Sequence, residues 1–211
     1  MKIQLIDRKQ ALIDAFKKAF EGCDDVEVFQ GNIFDIKTDC IVSPANSYGF
    51  MDGSLELAIS NTLGWGIQTR LQKLIQEEYN GELLVGQATL IITDKPELIP
   101  FCLVSPTMRV PSIIKNTPNP YLAAKALFVL LKDAEYLQKR NQWAPSYKLE
   151  SVSIPGLGTG VGNVNYEVCA KQIRLAYDDF WLGKYKFPTS WREAQNRHQL
   201  LYGNTTRDLQ F

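Results

Sequence analysis

The sequence predicts an α/β sandwich whose central sheet is mixed or largely parallel. Short apolar or alternating runs, which are typical of strands, interleave with longer runs of helical periodicity. Two glycine-rich segments, residues 46–56 and 154–162, each follow a strand-like run and precede a helical one. Junctions of this kind are typical of sheets that are covered by helices, and ligands bind there.

The first half of the chain reads as three strands, one helix and one broken helix. Residues 9–20 place their alanine, leucine and phenylalanine side chains on one helical stripe. Residues 55–63 and 67–79 are also helical and are separated around Gly64 and Gly66. The strands are predicted at residues 2–6, 26–30 and 40–44.

The second half continues the alternation after an apolar pair of strands. Residues 109–120 carry three prolines, which predicts a loop. Helical periodicity then covers residues 121–138 and 166–181, on either side of another strand-like run. The strands are predicted at residues 88–93, 101–105 and 149–154.

The last part of the chain differs in composition, so we predict a main domain at residues 1–183 and an extension at residues 184–211. The extension has few aliphatic residues and one predicted helix, residues 190–201. Ser190 and Glu193 have the spacing of a capping box. The extension either packs on the domain or binds a partner. We expect it to dock through Trp181, Tyr185, Phe187 and Trp191.

Bulk composition excludes several function classes. The 211 residues include 23 Lys and Arg and 23 Asp and Glu, so the net charge is zero and nucleic acid is not indicated as a partner. No apolar run approaches the ~18 residues of a membrane span. We therefore expect a cytoplasmic monomer that has no membrane partner.

The four cysteines predict reduced thiols rather than a metal site. Cys23, Cys40, Cys102 and Cys169 lack the spacing of metal ligands, and His198 in the extension is the sole histidine of the sequence. We therefore expect neither a metal nor a cofactor. A Ser/His/Asp hydrolase is excluded for the same reason. The sequence also lacks a Gly-x-Gly-x-x-Gly after the first strand and a Gly-Lys-Ser/Thr.

The two glycine-rich segments indicate a phosphate site. Glycine lets backbone N–H groups approach a ligand without an intervening side chain, and N–H groups at a helix start attract anions. Two such loops on one sheet predict a cleft for a ligand with two phosphates.

Four motifs carry a resemblance to the macro domain, the α/β/α module that binds ADP-ribose. They are Gly31-Asn32-Ile33, the Ile-Val-Ser-Pro-Ala-Asn of residues 41–46, the loop and helix start of residues 49–59, and the Leu-Gly-Thr-Gly-Val of residues 157–161. The resemblance covers residues 2–181. It implies a three-layer α/β/α sandwich with a mixed central sheet and a C-terminal appendage.

The resemblance also implies residue roles. Asn46 would bind the distal ribose hydroxyls, because an amide both donates and accepts. Gly158, Thr159 and Gly160 would hold the phosphates. Asn32 stands where the family has an adenine-binding Asp, and either this neutral amide or Asp35 would take that role. The ligand-binding residues that the resemblance implies are Asn32, Ile33, Ala45, Asn46, Gly53, Ser54, Pro155, Gly156, Leu157, Gly158, Thr159, Gly160 and Val161.

Two carboxylates compete for the acidic position near the distal ribose. Counting from the helix start places Glu56 at the family's catalytic position, whereas Asp52 lies in the loop itself. Either could orient or deprotonate a water that attacks the anomeric carbon. The implied catalytic residues are Asn46, Asp52 and Glu56. Tyr48, Phe50 and Tyr166 are alternative candidates for the aromatic residue that packs beside the ribose.

The resemblance leaves an enzyme and a binding module as open functions. Asn46 and the two carboxylates favour hydrolysis of the bond at the distal ribose, as in a mono-ADP-ribosyl hydrolase. The bulkier residues Phe50, Met51 and Asp52 stand in the loop in place of glycines and favour a module that only binds ADP-ribose, because they could narrow the distal pocket; they could equally act as a specific gate. A third alternative is an ADP-ribose 1″-phosphate phosphatase. The expected partner is ADP-ribose or an ADP-ribosylated substrate.

Overall fold

One mixed sheet lies at the centre of the fold in the computed structural model, which describes residues 1–133 and 149–209. Its strands are β1 (Lys2–Asp7), β2 (Val26–Gln30), β3 (Cys40–Ser43), β4 (Thr89–Ile92), β5 (Phe101–Val104) and β6 (Ser151–Ile154). Their order across the sheet is β2-β1-β6-β3-β5-β4. β4 pairs antiparallel with β5, and the other neighbours pair in parallel.

This topology places five carboxyl ends at one edge of the sheet. β1 leads to β2 on one side, whereas β3 leads to β4 and β5 on the other side. β6 lies between β1 and β3, and Leu5 of β1 is in register with Ile154 of β6. A crevice forms above a sheet where neighbouring connections leave in opposite directions. The loops after β1, β6 and β3 therefore border one crevice.

Helices cover both faces of the sheet. They are α1 (Gln10–Ala19), α2 (Ser54–Leu63), α3 (Gly66–Glu78), α4 (Asn119–Lys132), α5 (Tyr166–Ala176) and α6 (Trp191–Tyr202). Ile3 and Leu5 of β1 pack in one core with α1, α4 and α5, whereas Ile6 packs in a second core with α2 and α3. Successive strand residues point to opposite faces, so one strand serves both cores. The predicted α/β/α sandwich is confirmed.

Two helices differ in detail from the prediction. α4 begins at Asn119, because a proline such as Pro120 is tolerated in the first helical turn. Residues 134–138 of the predicted helix lie outside the described residues. The predicted helix at residues 166–181 is α-helical as far as Ala176, where α5 ends. A π-helical turn, Tyr177–Trp181, follows it. Tyr177 and Trp181 both donate hydrogen bonds to the Asp25 carboxylate, at 2.5 and 2.7 Å.

The extension forms its predicted helix with a modified cap. The Ser190 hydroxyl accepts a hydrogen bond from the backbone N–H of Glu193 at 3.2 Å, as a capping residue does. The Glu193 carboxylate does not return to the backbone of Ser190. It accepts instead from the backbone N–H of Thr189 at 2.7 Å and from the Thr189 hydroxyl at 2.9 Å.

The predicted docking of the extension through its aromatic residues is wrong for Phe187 and Trp191. Phe187 is 82% exposed and Trp191 is 63% exposed. The extension packs on α5 instead, where fully buried Gln172 donates to the carbonyl of Leu201 at 3.2 Å. Trp181 does pack against the core, and Tyr185 stacks on Phe180.

The described cysteines are free thiols. Cys40, Cys102 and Cys169 are buried, and Cys23 is half-buried. Burial raises the pKa of Cys102 and of Cys169 to about 12. Within residues 1–133 and 149–209, no group of three or more His, Cys, Asp or Glu side chains is placed to hold a metal ion. In the same residues no helix is both long and apolar enough to cross a bilayer.

Candidate functional site

A cleft of about 530 Å³ opens at the carboxyl edge of the sheet. Its walls come from the loops that follow β1, β2, β3, β5 and β6. The first turn of α2 closes one end. The crevice that the topology requires is therefore present as a cavity.

The glycine-rich loop after β6 forms one wall, and its backbone is held by hydrogen bonds. The carbonyl of Gly158 accepts from the N–H of Val164 at 3.1 Å, and the carbonyl of Gly162 accepts from the N–H of Ile114 at 2.8 Å. The backbone N–H groups of Gly158, Thr159 and Gly160 donate to no acceptor in the part of the chain that the structure describes. Such free donors can bind an anion.

Most of the ligand-binding residues implied by the resemblance lie together around this cleft. Leu157 is the exception, because its side chain is fully buried in the core beside α1 and α5. Asn46, Asp52 and Glu56 also line the cleft. The ligand-binding candidates in the wall are Asn32, Ile33, Ala45, Asn46, Gly53, Ser54, Pro155, Gly156, Gly158, Thr159, Gly160 and Val161.

The Asn46 amide closes its own loop. Its Oδ1 accepts from the backbone N–H groups of Tyr48 and Phe50 at 3.1 and 3.3 Å, and its Nδ2 donates to the carbonyl of Phe50 at 2.8 Å. This is a local turn of the kind that asparagine favours. One amide hydrogen remains for a ligand, since the other hydrogen is bound within the loop.

The next residues of the loop are anchored from α2 and α3. Fully buried Met51 donates its backbone N–H to Gln68 Oε1 at 2.7 Å, and its carbonyl accepts from the Ser60 hydroxyl at 2.9 Å. Met51 therefore points into the core and does not narrow the cleft, although the sequence favoured that role. The anchor presents Phe50 and Asp52 at the cleft wall.

The two carboxylates stand in different environments. Asp52 is exposed, whereas Glu56 is half-buried in the first turn of α2. Glu56 Oε1 accepts a hydrogen bond from the Ser43 hydroxyl at 3.2 Å. Burial raises the pKa of Glu56, and hydrogen bonds from its own backbone N–H and from Ser43 oppose this rise. Raised pKa values of this kind are typical of catalytic carboxyls.

The adenine-side candidates separate clearly. Asn32 lines the cleft, and its Oδ1 accepts from the backbone N–H of Phe34 at 3.4 Å. Asp35 is exposed and does not line the cleft, so the structure does not bring it to the site. Asn32 is therefore the candidate that remains at this position.

One of the three aromatic candidates lines the cleft. Phe50 is 53% exposed there. Tyr48 instead donates from its hydroxyl to Glu82 at 3.0 Å, and Tyr166 lies beneath the ammonium group of Lys9. Glu82 has a pKa lowered to about 2, chiefly by its hydrogen bonds with Arg109.

The sequence reasoning missed a basic pair in the site. Arg8 and Lys9 follow β1 and line the cleft, together with Asp7. Their signal in the sequence is a charged run directly after a strand, at the edge where the glycine-rich loops also lie. The cleft thus has cationic side chains after β1 and the carboxylates Asp52 and Glu56 after β3, with the glycine-rich loop of β6 between them.

This chain is similar to known proteins in both sequence and structure. An uncharacterized protein of Aquifex aeolicus is 29% identical over 149 residues, which cover 71% of this chain and 78% of that protein. The solved macrodomain of Mycobacterium tuberculosis DarG has a TM-score of 0.55 at 17% identity, and the match covers 72% of this chain and 88% of that one. A mutant Oceanobacillus iheyensis macrodomain with ADPR has a TM-score of 0.49 at 23% identity, and the match covers 69% of this chain and 73% of that one. The family model described as Macro domain matches residues 42–173, so this chain belongs to the macro domain family.

Proposed function

We propose that this chain binds ADP-ribose, or a molecule that carries it, and hydrolyses the bond at the distal ribose. The observation that carries the proposal is Glu56, a half-buried carboxyl of raised pKa in the wall of a cleft that also contains exposed Asp52. Free N–H groups of the glycine-rich loop support a diphosphate between the two riboses. Macro domains bind ADP-ribose, which supports the choice of ligand.

The proposed reaction assigns the two carboxyls opposite roles. Asp52 is the general base, because its carboxylate is exposed in the cleft wall, where it can contact a water. It takes a proton from a water whose oxygen forms the new bond to the anomeric carbon. The bond from that carbon to the leaving oxygen breaks, and Glu56 donates its proton to that oxygen. Burial raises the pKa of Glu56, which suits a group that must hold a proton before donating it.

A binding-only function is favoured by a different observation. The Asn46 amide is engaged with its own loop in three hydrogen bonds, which leaves one amide hydrogen for a ribose hydroxyl. Such a site would bind ADP-ribose without orienting the reacting carbon. Hydrolysis of ADP-ribose 1″-phosphate is the third alternative, and the same carboxyls would serve it.

Binding is measured first. Calorimetric titration of the purified chain with ADP-ribose, with AMP and NAD as controls, should give saturable binding that is selective for ADP-ribose. The wild-type chain is then incubated with a peptide that is mono-ADP-ribosylated on an acidic side chain, and separately with ADP-ribose 1″-phosphate. Preferential release of ADP-ribose from the peptide supports the first proposal, whereas preferential release of phosphate supports the phosphatase.

Variants then test the two carboxyls. We expect Asp52→Asn and Glu56→Gln each to lower turnover by about 10²-fold or more while ADP-ribose binding is retained. Asp24→Asn is the matched control, because Asp24 is exposed and outside the cleft. Normal turnover in both single variants and in the double variant would sink the hydrolase proposal. Binding without turnover in the wild type would leave the binding module.

Further parts of the proposal concern the whole chain. We place the functional domain at residues 1–183, with residues 184–211 as an extension that packs on α5 through Gln172. We also propose that the chain is a monomer and that it is located in the cytoplasm. The free thiols support this location, because disulfides form in oxidising compartments. Removal of residues 184–211 followed by ADP-ribose titration tests whether the domain boundary is correct.

A further inference from the structure

The basic pair Arg8 and Lys9 occupies a defined place in the cleft. β1, which precedes them, lies between β2 and β6. The adenine candidate Asn32 follows β2, and the glycine-rich loop follows β6. Neighbouring strands are about 4.8 Å apart, so both positions are within reach of a long side chain at the end of β1. The pair therefore stands between the expected adenine and the expected phosphates.

The Lys9 side chain is exposed and lies against Tyr166. Its ammonium lies 5.4 Å from the ring centroid of Tyr166. A hydrogen bond with the Tyr166 side chain is the largest cause of the raised pKa of Lys9. Its backbone N–H donates to Asp7 Oδ1 at 2.9 Å. Tyr166 is the first residue of α5, directly after the glycine-rich loop. The ammonium is thereby held on the loop side of the cleft.

Arg8 is held differently. Its backbone carbonyl accepts from Gln30 Nε2 at 3.4 Å, which ties the loop to β2. Among the residues that the structure describes, its guanidinium has no hydrogen-bond or ion-pair partner. Asp7 is the acidic neighbour in this part of the wall, and one of its oxygens is already bound to the Lys9 N–H. Two cations and one carboxylate leave this part of the cleft with a net positive charge.

We propose that Arg8 and Lys9 bind a phosphoryl group on the adenine side of the ligand and so determine its specificity. The inference rests on the proposed function of the same cleft. A guanidinium binds phosphate oxygens in pairs, and an ammonium adds a point charge, so a lysine beside an arginine without a partner in the described residues suits a phosphate. The phosphoryl group belongs either to the diphosphate or to a phosphate on the adenosine ribose. Arginine accommodates a ribose 2′-phosphate in other nucleotide sites.

The test is calorimetric titration of the full chain with three ligands. They are ADP-ribose, ADP-ribose that carries a phosphate at the adenosine 2′ position, and adenosine. The variants are Arg8→Gln, Lys9→Gln and their combination. Lys17→Gln with Lys18→Gln is the matched control, because it removes the same charge from exposed positions outside the cleft. Lys9→Arg keeps the charge and should retain binding.

We expect the Arg8→Gln/Lys9→Gln variant to bind phosphorylated ligand about tenfold more weakly than the control variant does. Affinity for adenosine should not change, and the wild-type loss of affinity with added salt should become smaller. A weakened affinity for ADP-ribose itself assigns the pair to the diphosphate. A loss that is confined to the 2′-phosphorylated ligand assigns it to the ribose phosphate.

Two results would overturn the inference, and they are distinguishable. Equal affinities of the Arg8/Lys9 double variant and the control variant for both phosphorylated ligands refute the role of the pair while leaving the cleft as an ADP-ribose site. A folded wild-type chain that binds neither phosphorylated ligand refutes the proposed function and, with it, this inference. Thermal unfolding of each variant shows whether the fold is retained.

Discussion

Replacement of Gly158 by alanine should destabilise the glycine-rich loop by more than the cost of placing a side chain in the left-handed backbone conformation. Gly158 has φ +71°, in the left-handed region that side chains disfavour. A Cβ atom at this position would lie 2.8 Å from Ile114 Cδ1 and 3.1 Å from Val164 Cγ2. Both neighbours are buried, so neither has free space into which to move.

The expected magnitude follows from two separate effects. The left-handed conformation costs about 1–2 kcal/mol for a residue with a Cβ atom. Insertion of a methyl group into a packed site costs about 1–3 kcal/mol. Gly158→Ala should therefore lower the free energy of unfolding by about 2–5 kcal/mol. ADP-ribose binding should fall as well, because the loop must shift to accept the methyl group.

Urea unfolding at constant m-value measures this loss, and two further variants separate its causes. Gly22→Ala carries the conformational effect alone, because Gly22 has φ +75° and nothing lies within 4 Å of its added Cβ. Ile114→Val removes the clashing Cδ1 atom, so combining it with Gly158→Ala should cost less than the sum of the two single changes. A Gly158→Ala variant that loses no more stability than Gly22→Ala would refute the reasoning.

Three other predictions concern buried or half-buried polar side chains. Glu56→Gln should become more stable relative to wild type as the pH rises from about 4 to 7. The folded-state pKa of Glu56 is raised above 4.5, so the wild type loses stability when this carboxyl ionises, and the variant does not. Chemical unfolding at both pH values measures this, and a difference in unfolding free energy that stays constant with pH would contradict it. Gln172→Leu should lower the free energy of unfolding by about 2–4 kcal/mol, because Gln172 makes three hydrogen bonds that link α4, α5 and α6. An unchanged midpoint of urea unfolding would contradict this prediction. Asp25→Ala should lower the free energy of unfolding by about 2–4 kcal/mol, because it leaves the hydroxyl of Tyr177 and the indole N–H of Trp181 without their acceptor. Retention of the wild-type Tm would count against this prediction.

The sequence pattern predicts an element correctly where neighbouring residues alone determine its structure. β2 occupies the predicted residues 26–30, because alternation and the following Gly31 are both visible in sequence. The ends of α5 and of the extension could not be predicted in this way. The π-helical turn depends on Asp25, which lies more than 150 residues earlier in the chain. Buried glutamines hold the extension. Gln172 of α5 donates to the carbonyl of Leu201, and Gln199 donates to the carbonyl of Arg207 within the extension, whereas aromatic content suggested Phe187 and Trp191.

The candidate site likewise contains residues that a local pattern indicates and residues that only the arrangement of the strands brings together. Glycine spacing and the asparagine after β3 indicate their walls of the cleft directly, because each depends on a few neighbouring residues. Arg8 and Lys9 carry a weaker signal, because a charged run after a strand does not identify the neighbouring strand. They enter the site because β1 lies beside β6 in the sheet, which the order of elements along the chain does not reveal. Leu157 lies within the glycine-rich motif, but its side chain is fully buried in the core.

The closed loop that carries Asn46 has a kinetic consequence. Asn46, Gln68 and Ser60 hold residues 46–51 in shape before any ligand arrives. The entropy lost in ordering this loop therefore belongs to folding and does not weaken association. A ligand that meets a ready-made wall should bind in a single kinetic phase, with an observed rate that rises linearly with ligand concentration in stopped-flow experiments. The residence time, rather than the encounter rate, then distinguishes one ligand from another.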